Sequence, residues 1–133
     1  MIDCIWIPNI SLGPFKLGEK ISYYESTMGI LLDPDLEEEY NVPNSEIFLS
    51  SENGLIDMIY SYETCFYKGT NIIGLSIQSV PRLLGCNADE VGSGVEYDDG
   101  DIQYPYEFED LGLRLWVRDN RVVSAAVTCY PDD

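Results

Sequence analysis

Two stretches of this chain read alike, and the likeness narrows the folds open to it. Phe15–Gly29 and Asn71–Gly85 align with Gly18 on Gly74, Ile21 on Ile77 and Gly29 on Gly85. Leu17 and Ile73, Tyr24 and Val80, and Met28 and Leu84 are paired apolar positions. Ile21, Tyr24 and Met28 recur at helical spacing and predict one apolar helix face. Ser22 followed by Glu25 reads as a capping box, and Gly29 and Gly85 suit the left-handed residue just past a helix. Pro81 removes a backbone donor, so the second helix is expected to begin near Ser79, with Pro81 in its first turn.

Each helix is followed, after a loop, by a hairpin pattern. Asn53-Gly54 lies between Glu46–Ser50 and Leu55–Tyr62. Asn-Gly is the strongest short hairpin signal, because both residues tolerate positive φ. Asp119-Asn120 lies between Gly112–Arg118 and Val122–Tyr130. Leu113, Leu115 and Val117 alternate with Arg114, Trp116 and Arg118, the period of a strand with one buried face. Tyr104–Glu109 also alternates, and Pro105 assigns it to a sheet edge or a strand start. Residues 30–45 and 86–103 read as long loops. The expected fold class is α+β: a tandem helix–β-hairpin repeat whose antiparallel sheet carries short helices on one face. Residues 1–133 read as a single domain, with pseudo-repeats over about 10–66 and 67–130.

Charge bounds the function. The chain has 24 Asp and Glu against 7 Lys and Arg, a formal net charge of −17, and no histidine. Such an excess repels itself and costs stability, and one physical reason to keep it is a cationic partner. Without histidine the commonest general base and metal ligand is missing, and neither a Ser-His nor a Cys-His couple can form. Negative charge argues against nucleic acid, although Arg114, Arg118 and Arg121 cluster near the last hairpin. Those arginines read as outward-facing or paired with local acids. Trp116 among them is either a hot spot or covered by a neighbouring element. Ten tyrosines and a hydrophobic share of 45% argue against a disordered acidic chain.

The acid-rich run offers the candidate binding residues: Glu96, Tyr97, Asp98, Asp99, Asp101, Tyr104, Tyr106, Glu107, Glu109 and Asp110. Their carboxylates would pair with Lys and Arg of a partner, and the interleaved tyrosines would supply contact area. The Asp33–Glu39 run, with Tyr40 its nearest aromatic, is a weaker candidate, and a solvated loop is the alternative for both. Asp98-Asp99-Gly100-Asp101 lacks the spacing of a calcium loop, and Val91-Gly92-Ser93-Gly94 lacks the length and lysine of a phosphate loop. Paired carboxylates of a hydrolase carry no specific signal in so acidic a chain. No catalytic residue, cofactor, metal or small-molecule substrate is expected.

Met1–Trp6 shows neither a basic n-region nor a long apolar stretch, so neither a signal peptide nor a membrane span is expected, and the expected compartment is the cytoplasm. There Cys4, Cys65, Cys86 and Cys129, which form no CxxC pair, are expected to serve as small buried hydrophobes.

The Leu17-Gly18-x-x-Ile21 phrase with Gly29, and Ile73-Gly74-Leu75-Ser76 with Leu84-Gly85, resemble the repeat of the β-lactamase inhibitor protein superfamily. A small lipoprotein of the outer-membrane barrel assembly machinery shares that pattern. The resemblance implies helices on one face of an antiparallel sheet and a second face left for binding. In size, acidity and absent catalytic set the chain also resembles bacterial immunity proteins of polymorphic toxin and contact-dependent growth inhibition systems. That resemblance implies tight, stoichiometric occlusion of a basic toxin domain, commonly a nuclease. A cytoplasmic adaptor for an endogenous partner is the alternative from another class.

Overall fold

The computed structural model describes residues 4–129, so Met1–Asp3 and the predicted strand end at Tyr130 lie outside the described residues. A small antiparallel meander opens the chain, β1 (Trp6–Ile7), β2 (Ser11–Leu12) and β3 (Phe15–Lys16), and leads into α1 (Ile21–Met28). Four strands follow: β4 (Leu31–Leu32), β5 (Glu39–Asn41), β6 (Ile47–Glu52) and β7 (Leu55–Ser61). A second small hairpin, β8 (Phe66–Tyr67) and β9 (Thr70–Asn71), precedes a 3-10 turn at Ile77–Ser79 and α2 (Val80–Leu84). The chain ends in β10 (Glu90–Val91), β11 (Val95–Glu96), β12 (Ile102–Phe108), β13 (Leu113–Arg118) and β14 (Arg121–Thr128).

One antiparallel sheet dominates, in the order β10-β12-β13-β14-β7-β6-β5-β4, with β11 also on β12. The two long hairpins meet at its centre, where β14 pairs with β7 through Ala125↔Ser61, Ala126↔Tyr60 and Val127↔Ile59. Both hairpin turns have positive φ at their two central residues, Asn53 and Gly54, and Asp119 and Asn120. This is the type I′ geometry whose twist matches the strands it joins. Each hairpin carries a bulge at the same distance from its turn, between Ser50 and Ser51 and between Trp116 and Val117.

The core fills one side of this sheet. Ile47 and Leu49 of β6, Ile56 and Ile59 of β7, and Leu113, Leu115 and Val117 of β13 are buried there with Ile21 and Tyr24 of α1 and Val80 and Leu84 of α2. Each such side chain contributes roughly 1.5–3 kcal/mol on leaving water.

Three expectations need correction. The Ser22–Glu25 capping box does not form: Lys20 is the N-cap and no side chain caps α1. The Ile21 N–H donates instead to the Gly54 carbonyl at 2.9 Å, so the hairpin turn serves as the cap. Residues 30–45 and 86–103 are not plain loops, since they hold β4, β5, β10 and β11, which lean on longer strands for their hydrogen bonds. Cys4 and Cys65 are buried as expected, whereas Cys86 and Cys129 are exposed. Burial pushes the Cys65 thiol up to about 12.

Pro105 sits in the middle of β12, not at its start. Its carbonyl accepts the Gly92 N–H at 2.8 Å, on the outer side where β10 ends and β11 has yet to begin. The missing amide therefore costs no hydrogen bond to β13. Gly92 and Gly94 allow this close approach, because a Cβ on either would come within 2.8 Å of the Pro105 or the Ile102 and Tyr104 side chains. The segment is a packing device on β12.

Candidate functional site

Strand alternation gives the main sheet a second face. Phe48, Met58, Tyr60, Tyr62 and Trp116 neither belong to the core cluster nor pack against it. Register lines them up: Asn41, Phe48, Tyr60, Ala126, Arg114 and Glu107 form one row across six strands. Phe48, Tyr60, Arg114 and Trp116 are half-buried, and Tyr62 is exposed. The bulge in β7 sets Asp57 and Met58 together opposite Ser50.

A cavity of about 510 Å³ lies on this face, lined by Asp33, Leu36, Glu39, Asn41, Glu46, Phe48, Tyr60 and Tyr62. Phe48 and Tyr62 meet edge to face at 5.5 Å and form its aromatic wall. The turn between β4 and β5 brings Asp33 and Leu36 over it, held by the Asp33 N–H donating to the Glu39 carbonyl at 2.8 Å. Among the described residues Asp33, Glu39 and Glu46 take part in no ion pair.

Burial pushes the Glu39 carboxyl above its ordinary range, and Asp57 and Asp33 push it further. Burial likewise raises the Tyr60 phenol, with Glu39 adding to the rise and Arg114 opposing it. For Tyr62 burial comes first and the Tyr97 phenol second, so Tyr97 reaches this face from the β11–β12 turn. A raised carboxyl favours the fold while it holds its proton, and that contribution is lost as pH rises through the folded value. Glu39→Gln is therefore expected to raise the melting temperature at about pH 7.5 by the equivalent of about 0.5 kcal/mol, and to lose that advantage towards about pH 4.5. Thermal unfolding of both proteins across that range checks it.

The other half of the face is neutralised from within. The Arg114 Nε donates to Glu107 Oε1 at 2.5 Å. Arg118 Nη1 donates to Asp101 Oδ2 at 3.2 Å, and Gln103 donates to the same oxygen at 3.1 Å. The Gln103 hydrogen bond is the main reason the Asp101 carboxyl lies below its usual range, with Arg118 assisting.

The ten residues expected to bind a partner do not share one surface. Tyr97, Asp101 and Glu107 belong to the open face just described, and Glu96, Asp98 and Asp99 are exposed at its rim. Asp99 Oδ1 accepts the Asp101 N–H at 2.9 Å and so shapes its own turn. Tyr104 and Tyr106 are on the opposite, core-side phase of β12, where Tyr106 packs against the core. Glu109 and Asp110 form a 3-10 turn at the far end of β12, roughly 20 Å by strand rise from the β11–β12 turn. Of the cavity residues, Asp33, Leu36 and Glu39 fall in the acidic run that the sequence offers as its weaker candidate, whereas Glu46, Phe48, Tyr60 and Tyr62 fall in neither run. Their one signal was aromatic side chains on the outward phase of the first hairpin.

Among the described residues no three Cys, Asp or Glu side chains are grouped to hold a metal ion, and no helix is long and apolar enough to cross a membrane. Compared with models of known protein families, with curated proteins and with solved structures, the chain matches none.

Proposed function

We propose that this chain is an immunity-type protein: a cytoplasmic inhibitor that neutralises a basic toxin domain, of nuclease type, by stoichiometric binding and occlusion. The observation that carries the reading is the cavity half of the open sheet face, where Phe48, Tyr60 and Tyr62 stand among Asp33, Glu39 and Glu46, which take part in no ion pair among the described residues. Aromatic rings supply contact area at low entropic cost, and the surrounding charge steers a cationic partner and rejects acidic ones. A toxin that grips phosphates must present Lys and Arg, the groups this face complements.

The same proposal takes the fold as a tandem repeat. Three matched pairs of hydrogen bonds support it. Gly18 N–H reaches Ile56 O and Gly74 N–H reaches Val122 O, each at 2.8 Å. Ile56 N–H returns to Glu19 O, as Val122 N–H does to Leu75 O. Ile21 N–H meets Gly54 O, as Ile77 N–H meets Asn120 O.

Affinity capture from the native cell, followed by co-expression, tests the function. The expected result is a single basic polypeptide, held one to one, whose toxicity disappears when this chain is co-expressed. Its association should slow by about tenfold or more between low salt and about 0.5 M salt. Capture of a harmless endogenous protein would replace the reading with an adaptor. Turnover of a substrate by the purified chain alone would end it.

A further inference from the structure

The cavity on the open face joins an aromatic wall to carboxylates that take part in no ion pair among the described residues. Its floor comes from adjacent strands in register, with Asn41 beside Phe48 and Phe48 beside Tyr60. Glu39 lies on the same strand as Asn41 and two positions away, so both point to this face. The volume of about 510 Å³ admits one long side chain with its waters. Its aromatic wall and its carboxylates suit a cation that is flat, weakly hydrated and rich in donors.

The same face carries an arginine of the chain's own. Arg114 lies over the same face, in register with Ala126 and Tyr60, and donates to Glu107 on the next strand. It lowers the Tyr60 phenol while Glu39 raises it, so Tyr60 stands between a compensated half and an uncompensated one. The acid-rich turn offers no equivalent opening. Asp99 and Asp101 are engaged by their own backbone, by Gln103 and by Arg118.

We propose that this cavity receives a single arginine side chain of the basic partner, with the guanidinium against Tyr60 and Phe48 and its donors on Glu39 and the neighbouring carboxylates. The inference rests on the binding role given above, and it names the group that anchors the contact. Lysine is the poorer occupant, because its ammonium keeps its hydration and cannot stack.

The probe is N-acetylarginine amide, titrated into the isotopically labelled full chain at low salt and followed by NMR. Saturable shifts are expected at Glu39, Phe48, Tyr60 and Tyr62. The lysine analogue should bind about fivefold more weakly, and the neutral citrulline analogue should not saturate. Glu39→Gln and Tyr60→Leu should each weaken the arginine probe by about fivefold or more, while Tyr60→Phe keeps the ring and should retain it. Shifts centred on Asp98 and Asp99, equal binding of the citrulline analogue, or no saturation would overturn the proposal. Its fate separates from that of the immunity reading. A basic toxin held equally well by Glu39→Gln and Tyr60→Leu would remove the arginine pocket and leave the inhibitor, and saturable binding of the probe in a chain that captures no toxin would do the reverse.

Discussion

Gly112→Ala is expected to cost roughly 3–5 kcal/mol of stability and to lower the melting temperature by on the order of 10–20 °C. Gly112 has φ +65° and ψ +40°, between the 3-10 turn and β13. That conformation alone costs a residue with a Cβ about 1–2 kcal/mol. The larger part is steric. A Cβ at this position would stand 2.2 Å from the Thr128 carbonyl oxygen and 2.6 Å from Asn9 Oδ1. The Thr128 contact is with backbone, so no rotamer change relieves it. Moving Thr128 would break its N–H bond to the Gly112 carbonyl (2.8 Å) and disturb its hydroxyl's bond to the Asp57 carbonyl (3.0 Å), which ties β14 to β7. The damage would then reach the centre of the sheet. Gly100→Ala is the control, because Gly100 has φ +85° with nothing within 4 Å of its added Cβ. It should cost only the conformational term, about 1–2 kcal/mol. Urea unfolding of the two variants separates the causes, and equal losses would show that the Thr128 contact carries no weight.

What was legible in the sequence was local, and what was not was assembled from a distance. Asn53-Gly54 and Asp119-Asn120 identified both hairpins because turn chemistry is written in adjacent residues. Gly29 and Gly85 marked both helix ends for the same reason. The start of α1 was misread because its cap is the Gly54 carbonyl of a hairpin far along the chain, and no local pattern announces that. Strands as short as β4 and β10 have no period to detect and exist only as extensions of β5 and β12. The pairing of β14 with β7, which sets the width of the open face, is non-local too. The site followed the same division. A run such as Asp98–Asp101 is conspicuous as sequence, yet part of it is spent on its own turn. The cavity draws Asp33, Glu39, Glu46, Phe48 and Tyr60 from separate elements, and the weaker Asp33–Glu39 run together with the outward aromatics of one hairpin gave only part of it.

Those two acidic regions should separate kinetically in the complex. Tyr60→Ala is expected to weaken partner binding by about 30-fold or more, almost all of it as faster dissociation. Tyr60 is half-buried at the centre of the open face, beside Phe48 and over Ala126, where a partner would exclude the remaining water. It is outside the core cluster, so its loss should leave the fold intact by circular dichroism. Asp98→Asn with Asp99→Asn should do the opposite. Both side chains are exposed on the rim turn, where water screens them in the free protein and in the complex alike. Their field still acts on an approaching cation, so the pair should slow association by about two- to fivefold at low salt. At about 0.5 M salt, where the screening length falls below about 5 Å, that difference should vanish and the Tyr60 effect should persist. Stopped-flow association and surface-capture dissociation read the two terms separately. If the turn variants speed dissociation and Tyr60→Ala does not, the partner is held by the β11–β12 turn, and the open face is not the interface.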